Sequence, residues 1–202
     1  MKHAVWVDNG TDVNVPKLAQ YGIDAPYFDP RDPRVTATYL ENVKGQGYKP
    51  GLYFAWNWYA VQSPESLAKV ISDAVSAVGW FGNPPVCIDI EKGHGLTDAS
   101  YVPYVVAFFK RWRQLRPHRE TDYTLEGFQG GLFAPTAVQA IVAANVQVCP
   151  QFYAGNMTAL GHSPMLDLLM AGFPGSRLDG MYDAAALPYR WRGYAFTQGR
   201  LP

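Results

Sequence analysis

The sequence predicts an α/β protein in which about eight strands form a parallel sheet. Strand-like and helix-like segments alternate along the whole chain, and this alternation is typical of a parallel sheet. The number of strand segments is that of a closed (β/α)8 barrel. No linker or low-complexity stretch interrupts the chain, so we expect a single domain over residues 1–202, a compact (β/α)8 TIM-like barrel. A doubly wound open sheet is the alternative, although no Gly-rich phosphate loop follows the first strand.

The first four strands are indicated by short apolar runs, and the helices between them by their end signals. Gly45 and Gly47 let the backbone turn and so end one helix. Ser63 and Pro64 suit the cap and the first turn of the next helix, whose apolar positions then recur with helical spacing. The predicted strands are 4–8, 22–28, 50–57 and 86–91, and the predicted helices are 15–20, 34–44 and one from 63 onward.

The second half of the chain continues the alternation. A long amphipathic helix over 101–116 ends at Pro117, and its buried side carries Val105, Phe108, Phe109 and Trp112. Pro135 suits the first turn of a later helix. The remaining predicted elements are strands at 122–127, 146–153, 178–183 and 193–198, helices at 135–144 and 164–171, and a turn or short helix near 184–187.

Composition excludes several classes of function. The formal net charge is zero, which argues against a general nucleic-acid binder. No apolar stretch approaches the length that spans a bilayer, so we expect no membrane insertion. The apolar run after Met1 is too short for a signal-peptide core, so we expect synthesis in the cytoplasm without a secretion signal.

Cysteine and histidine are too sparse to indicate a disulfide framework or a metal site. Cys87 and Cys149 fall in strand segments, and buried free thiols are the expected state, with one bridge as the alternative. The four histidines are scattered and form no zinc-binding pattern. The spacing of these residues therefore indicates no metal site.

The most informative segment is the fourth strand, Pro85 to Lys92, in which an apolar run carries two carboxylates. Asp89 and Glu91 are two residues apart, and such residues face the same side of a strand. Like charges placed side by side disfavour joint ionisation, so one carboxyl holds its proton more tightly. A proton-holding acid beside an ionised carboxylate is what glycoside hydrolysis requires. The alternative is a solvated strand end, or a pair neutralised by Lys92.

Polar side chains stand at the end of every predicted strand, and in a (β/α)8 barrel the carboxyl ends of the strands form the site. Each one alone fits a turn or a cap, but their recurrence favours a shared site. Aromatic rings stack on sugar faces; of the aromatics, Trp6 and Tyr53 are assigned mainly to the core. The candidates are Asp8, Asp24, Asp29, Trp56, Asn57, Trp58, Tyr59, Asp89, Glu91, Glu126, Gln151, Tyr153, Asp183 and Gln198.

Four short motifs, in this order along the chain, resemble glycoside hydrolase family 25, the lysozyme-like muramidases with a (β/α)8-like barrel, and related barrels encoded by bacteriophages. They are Val7-Asp8, Ile88-Asp89-Ile90-Glu91, Gln151-Phe152-Tyr153 and Phe196-Thr197-Gln198. The first strand departs from the family pattern, because it continues Asp8-Asn9-Gly10 where the family has Asp-x-Ser.

The resemblance implies roles by position. Glu91 would be the general acid, and Asp89 would stabilise the developing positive charge. Asp8 and Asp183 would complete an acidic rim around the sugar. The resemblance implies that Tyr153 and Gln198 contact the substrate. Further candidates for substrate contact are the strand-end residues Trp56, Asn57, Trp58 and Glu126.

The implied activity is that of a phage-type glycosidase that cleaves the β-1,4 amino-sugar linkages of peptidoglycan, and the resemblance implies no metal and no organic cofactor. The implied partners are the cell-wall polysaccharide and other phage tail proteins, and the implied location is the virion tail or the cell wall after release. A second interpretation is a barrel without catalysis that serves as a structural or glycan-binding component of a phage tail. A third is a glycosidase that acts on another polymer, such as a chitin-like one.

Overall fold

All eight predicted strands are present in the structure, a computed structural model that describes residues 4–7, 15–21, 24–59, 63–81, 83–90, 96–126, 146–152, 181–182 and 195–197. The strands are β1 (Ala4–Val7), β2 (Ala25–Phe28), β3 (Gly51–Ala55), β4 (Val86–Asp89), β5 (Thr121–Glu126), β6 (Gln147–Phe152), β7 (Met181–Tyr182) and β8 (Ala195–Thr197). The described helices are α1 (Ala37–Gly45), α2 (Pro64–Ala77), α3 (Asp98–Leu115) and the 3-10 helices Val15–Tyr21 and Trp56–Trp58. The predicted helices at 135–144 and 164–171 and the turn near 184–187 lie outside the described residues.

The eight strands form one sheet, and its described strand pairings are all parallel. Strands β2 to β7 lie side by side in chain order, whereas the order of a doubly wound sheet reverses at a switch point. β1 pairs with β2 at one end of this series and with β7 and β8 at the other. The chain is therefore a parallel α/β protein, and the carboxyl ends of its strands share one edge.

Helix α2 begins as its end signals predict. The Ser63 hydroxyl accepts a hydrogen bond from the Ser66 backbone N–H, and Pro64 occupies the first turn. Leu67, Ile71 and Val75 are buried, so the apolar face recognised in the sequence packs into the core.

Helix α3 begins three residues earlier than predicted, at Asp98. Thr97 and Ser100 cap each other's backbone N–H groups, and this reciprocal pair extends the helix toward its amino end. The predicted apolar face is buried, and it packs on β5: the Trp112 Nε1–H donates to Thr121 Oγ1 at 2.9 Å, and Phe109 meets Tyr123 edge to face.

Strand β3 ends at Ala55, two residues before its predicted end. The chain turns there into the 3-10 helix Trp56–Trp58. The predicted site residues Trp56, Asn57 and Trp58 therefore belong to this helix and not to the strand. None of the described helices combines the length and the apolar character needed to cross a bilayer.

Gly51 on β3 makes a close approach possible in the interior of the protein. It is in register with Tyr27 on β2, and the Tyr27 side chain is fully buried. A Cβ at position 51 would collide with the Tyr27 ring and would also crowd the Pro85 carbonyl. Because Gly51 has no side chain, the Tyr27 ring can pack directly against the backbone of β3.

We expect Gly51→Ala to lower the free energy of unfolding by about 1–3 kcal/mol, because the added methyl overpacks a filled interior. Gly45→Ala is the matched control, since a Cβ at position 45 meets nothing within 4 Å and alanine favours a helix. Urea denaturation of the two variants measures both effects. A Gly51→Ala variant as stable as wild type would contradict the close packing of Tyr27.

Candidate active site

Asp89 is the last residue of β4 and is buried, with 6% of its surface exposed. The Tyr53 hydroxyl on β3 donates a hydrogen bond of 2.8 Å to Asp89 Oδ2, and this bond is itself buried. Tyr53 in turn stacks on Trp6 of β1, with ring centroids 4.7 Å apart and an angle of 24° between the planes. A chain of contacts therefore runs from β1 through β3 to the carboxylate.

Two further tyrosines hold the peptide that follows Asp89. The carbonyl oxygen of Ile90 accepts hydrogen bonds from the Tyr101 hydroxyl at 2.8 Å and from the Tyr123 hydroxyl at 3.1 Å. The two hydroxyls also contact each other, and both side chains are fully buried. Tyr101 comes from α3 and Tyr123 from β5, so two separate elements fix the backbone directly after the carboxylate.

These tyrosines did not figure among the site residues predicted from sequence. Trp6 and Tyr53 were assigned to the core, and both are buried as expected, but Tyr53 also binds the carboxylate. The available signal was chemical, because a buried tyrosine hydroxyl normally finds a hydrogen-bond partner. Which partner it finds depends on strand pairing, and no local pattern in the sequence encodes that.

Asp29, at the end of β2, serves as a support of its own loop. Its carboxylate is fully buried and accepts the Arg31 backbone N–H at 2.8 Å and the Arg31 guanidinium at 2.7 to 3.1 Å. The next three residues repeat the arrangement, with Arg34 bound to Asp32 in the same way. The sequence repeats Asp-Pro-Arg over residues 29–34, and this repeat is the local pattern that indicates the two consecutive turns.

Asp24 does not belong to the edge predicted from sequence. It precedes β2 and so lies at the amino end of that strand, opposite to the end that carries Asp29. Its carboxylate is 3.8 Å from Lys49 Nζ, and its backbone oxygen accepts the Lys49 N–H. The carboxyl end of β2 is four residues further along, at Phe28, so Asp29 and not Asp24 lies at the predicted edge.

The residues that follow β3 differ sharply in exposure. Trp56 is buried at 8% exposure and meets Tyr104 edge to face, whereas Asn57 is exposed. Tyr59 is partly buried, and burial raises the pKa of its phenol while nearby Arg31 opposes that rise. Tyr59 and Arg31 help to line a pocket between the loop after β2 and helix α2.

Strand register aligns several candidate positions. Asp89 pairs with Thr124 on β5 and with Ala55 on β3, and Glu126 at the end of β5 pairs with Gln151 on β6. The other predicted site residues, Glu91, Asp8, Asp183, Tyr153 and Gln198, lie outside the described residues, as do Lys92 and the side chain of Trp58.

The Cys87 side chain is a thiol buried in the core, as the sequence predicts. Within the described ranges, no group of three or more histidine, cysteine, aspartate or glutamate side chains is placed to hold a metal ion. The expectation that the protein uses no cofactor stays a prediction.

No protein-family model matches the sequence, and no curated protein matches it. Solved structures do match over nearly the whole chain. Active domain 2 of the thermostable chitinase from Pyrococcus furiosus, in catalytic-site mutants complexed with chito-oligosaccharides, has a TM-score of 0.61 and 12% identity, covering 97% of this chain and 83% of that one.

Two other solved structures have unrelated activities in their descriptions. A family 2 AP endonuclease from Brucella melitensis has a TM-score of 0.56 at 12% identity, covering 100% of this chain and 94% of that chain. A 2,3-dimethylmalate lyase has a TM-score of 0.59 at 13% identity, covering 97% and 75%. These neighbours have TIM-barrel folds. The likeness shows the fold alone.

We expect Asp29→Asn to lower the free energy of unfolding by about 1–3 kcal/mol, a range that is modest because Arg31 is 44% exposed and partly screened. Asp73→Asn is the matched control, since Asp73 pairs with Lys69 on the exposed surface of α2 and should change stability by less than about 0.5 kcal/mol. Thermal and urea denaturation measure both variants. Equal effects would contradict the supporting role of Asp29.

Proposed function

We propose that this chain is a glycosidase that cleaves β-1,4 amino-sugar linkages of cell-wall peptidoglycan, with Glu91 as the carboxylic general acid. The observation that carries the proposal is the buried carboxylate of Asp89 at the carboxyl end of β4, held by the Tyr53 hydroxyl. In parallel α/β barrels, catalytic residues occupy this end of the strands.

The proposal includes closure of the sheet into a compact single-domain (β/α)8 barrel. Its support is the pairing of β1 with β2 as well as with β7 and β8, which joins the two ends of the strand series. The TIM-barrel neighbours, which cover nearly the whole chain, agree with this arrangement.

The chemistry divides between the two carboxylates. Asp89 accepts a hydrogen bond from the Tyr53 hydroxyl, and such a donor favours the charged form of a carboxyl group and offsets the cost of burial. In the proposed reaction its negative charge stabilises positive charge that develops on the sugar. Glu91, two residues further along the chain, protonates the leaving oxygen, and Asp8 and Asp183 tune that proton and hold the sugar. A carboxylate beside a carboxylic acid is the pairing on which this reaction depends.

Substrate contacts are proposed at the neighbouring strand ends. Asn57 is exposed just after β3, and Glu126 and Gln151 are paired at the ends of β5 and β6. Trp56 is buried, so its part is to support the loop that presents Asn57 and Trp58. Tyr153 and Gln198 complete the proposed contacts from β6 and β8.

The substrate class rests on two separate arguments. The motifs shared with glycoside hydrolase family 25 favour peptidoglycan, and the chitinase neighbour was crystallised with chito-oligosaccharides. Both ligands are polymers of amino sugars, so a site for such a sugar agrees with either. The phage origin and the place in a phage tail follow from the family resemblance.

A second candidate function is that of a glycan-binding component of a phage tail that has lost catalysis. The observation that favours it is the altered first strand, which reads Asp8-Asn9-Gly10 where the family has Asp-x-Ser. Such a module would bind the polymer at the same sheet edge and leave its linkages intact.

We expect the wild-type chain to release new reducing ends from purified peptidoglycan and Glu91→Gln to lower that rate by about 100-fold or more, because the donated proton is lost. Glu120→Gln is the matched control, since Glu120 is exposed and lies at the amino end of β5, away from the strand end that carries Asp89. Chito-oligosaccharides serve as the second substrate in the same assay.

The outcomes separate the candidates. Release from chito-oligosaccharides but not from peptidoglycan would replace the substrate and keep the reaction. Sedimentation of the protein with peptidoglycan, without new reducing ends, would favour the binding module. Equal rates for wild type and Glu91→Gln would overturn Glu91 as the acid.

A further inference from the structure

The Tyr53–Asp89 contact has the features of a positioning device. Both side chains are buried, at 5% and 6% exposure, and the hydroxyl donates to one carboxylate oxygen at 2.8 Å. Hydrogen bonds that donate to a carboxylate are stronger than those between neutral groups. The bond therefore restrains the direction of the carboxylate at the end of β4.

The ring of Tyr53 is itself held in place. It stacks on the Trp6 ring, with the two ring centroids 4.7 Å apart, and Trp6 on β1 is almost fully buried. A tyrosine ring has only two rotatable side-chain bonds, so one stacking contact leaves it little freedom. The position of the Tyr53 hydroxyl relative to Asp89, at the end of β4, is consequently restrained.

We propose that Tyr53 is a positioning residue for Asp89: it orients the carboxylate toward the substrate and favours its charged form. This inference rests on the proposed glycosidase function for its catalytic consequence, but the pairing of the two groups can be tested without any substrate. The ordinary structural alternative is a tyrosine that contributes packing alone.

The titratable residues around Asp89 belong to four elements. They are Tyr53 on β3, Cys87 earlier on β4, and the Tyr101 and Tyr123 hydroxyls bound to the neighbouring Ile90 carbonyl. The sequence of the neighbouring strand β5 also contains Asp122 and Glu126. The Tyr53 hydroxyl contacts the Asp89 carboxylate directly, at 2.8 Å.

Tyr53→Phe tests the proposal, because it keeps the ring and its stacking contact and removes only the hydroxyl. The matched control is Tyr48→Phe, which removes a buried tyrosine hydroxyl that accepts the Ala19 N–H at 3.2 Å on another part of the chain. Both variants are made in the full chain labelled with ¹³C at aspartate Cγ, and Asp89→Asn assigns the Asp89 resonance.

We expect the pKa of Asp89 to be about one to two units higher in Tyr53→Phe than in wild type, because a hydrogen bond to the charged form has been removed. Tyr48→Phe should leave the Asp89 titration unchanged. In the reducing-end assay, kcat of Tyr53→Phe should fall about 10- to 100-fold with little change in KM.

The outcomes keep this inference separate from the proposed function. A raised Asp89 pKa in a protein that releases no reducing ends would support the pairing and reject the glycosidase. An active protein whose Asp89 titration and kcat are the same in Tyr53→Phe and Tyr48→Phe would overturn the positioning role. If Tyr53→Phe does not fold, the phenol titration of Tyr53 is compared between wild type and Asp89→Asn, and an unchanged midpoint would overturn the role as well.

Discussion

Parallel pairing of the strands is the constraint on which the candidate site depends. Strands that run in the same direction bring all their carboxyl ends to one edge of the sheet, and residues far apart in the chain then become neighbours. In this protein that edge carries Asp89 as the last residue of β4, Glu126 as the last residue of β5 and Asp29 directly after β2. These polar residues share one edge of the sheet because the strands run in the same direction.

A buried carboxylate at such an edge requires partners, because a charge removed from water is costly unless it is hydrogen-bonded. The protein meets this requirement around β4 with tyrosines: Tyr53 donates to Asp89, and Tyr101 and Tyr123 donate to the next carbonyl. Their rings belong to the apolar core, and their hydroxyls form buried hydrogen bonds at the end of β4. The same residues thus complete the packing and order the polar end of the strand.

Two aspartates that look alike in sequence have different surroundings in the structure. Asp29 and Asp89 both follow buried strands, and both are themselves buried. Asp29 binds the backbone and guanidinium of Arg31 two residues later, which shapes the loop after β2. Asp89 is held by a tyrosine from a neighbouring strand, 36 positions away in the chain. A local ion pair thus ties Asp29 to its own loop, whereas a long-range hydrogen bond ties Asp89 to a neighbouring strand.

The amino-acid sequence is sufficient to predict the eight strands, the parallel α/β class, the helix start at Ser63 and the apolar faces of α2 and α3, because periodicity and capping are local properties. The sequence also draws attention to Asp89 and Glu91, two carboxylates two residues apart in an apolar strand segment. Three features became visible only in the folded protein: β3 turns at Trp56, Asp24 lies at the opposite end of the sheet, and Tyr53 binds Asp89. These features depend on strand register and on packing between distant segments, and neither is encoded in the pattern of neighbouring residues.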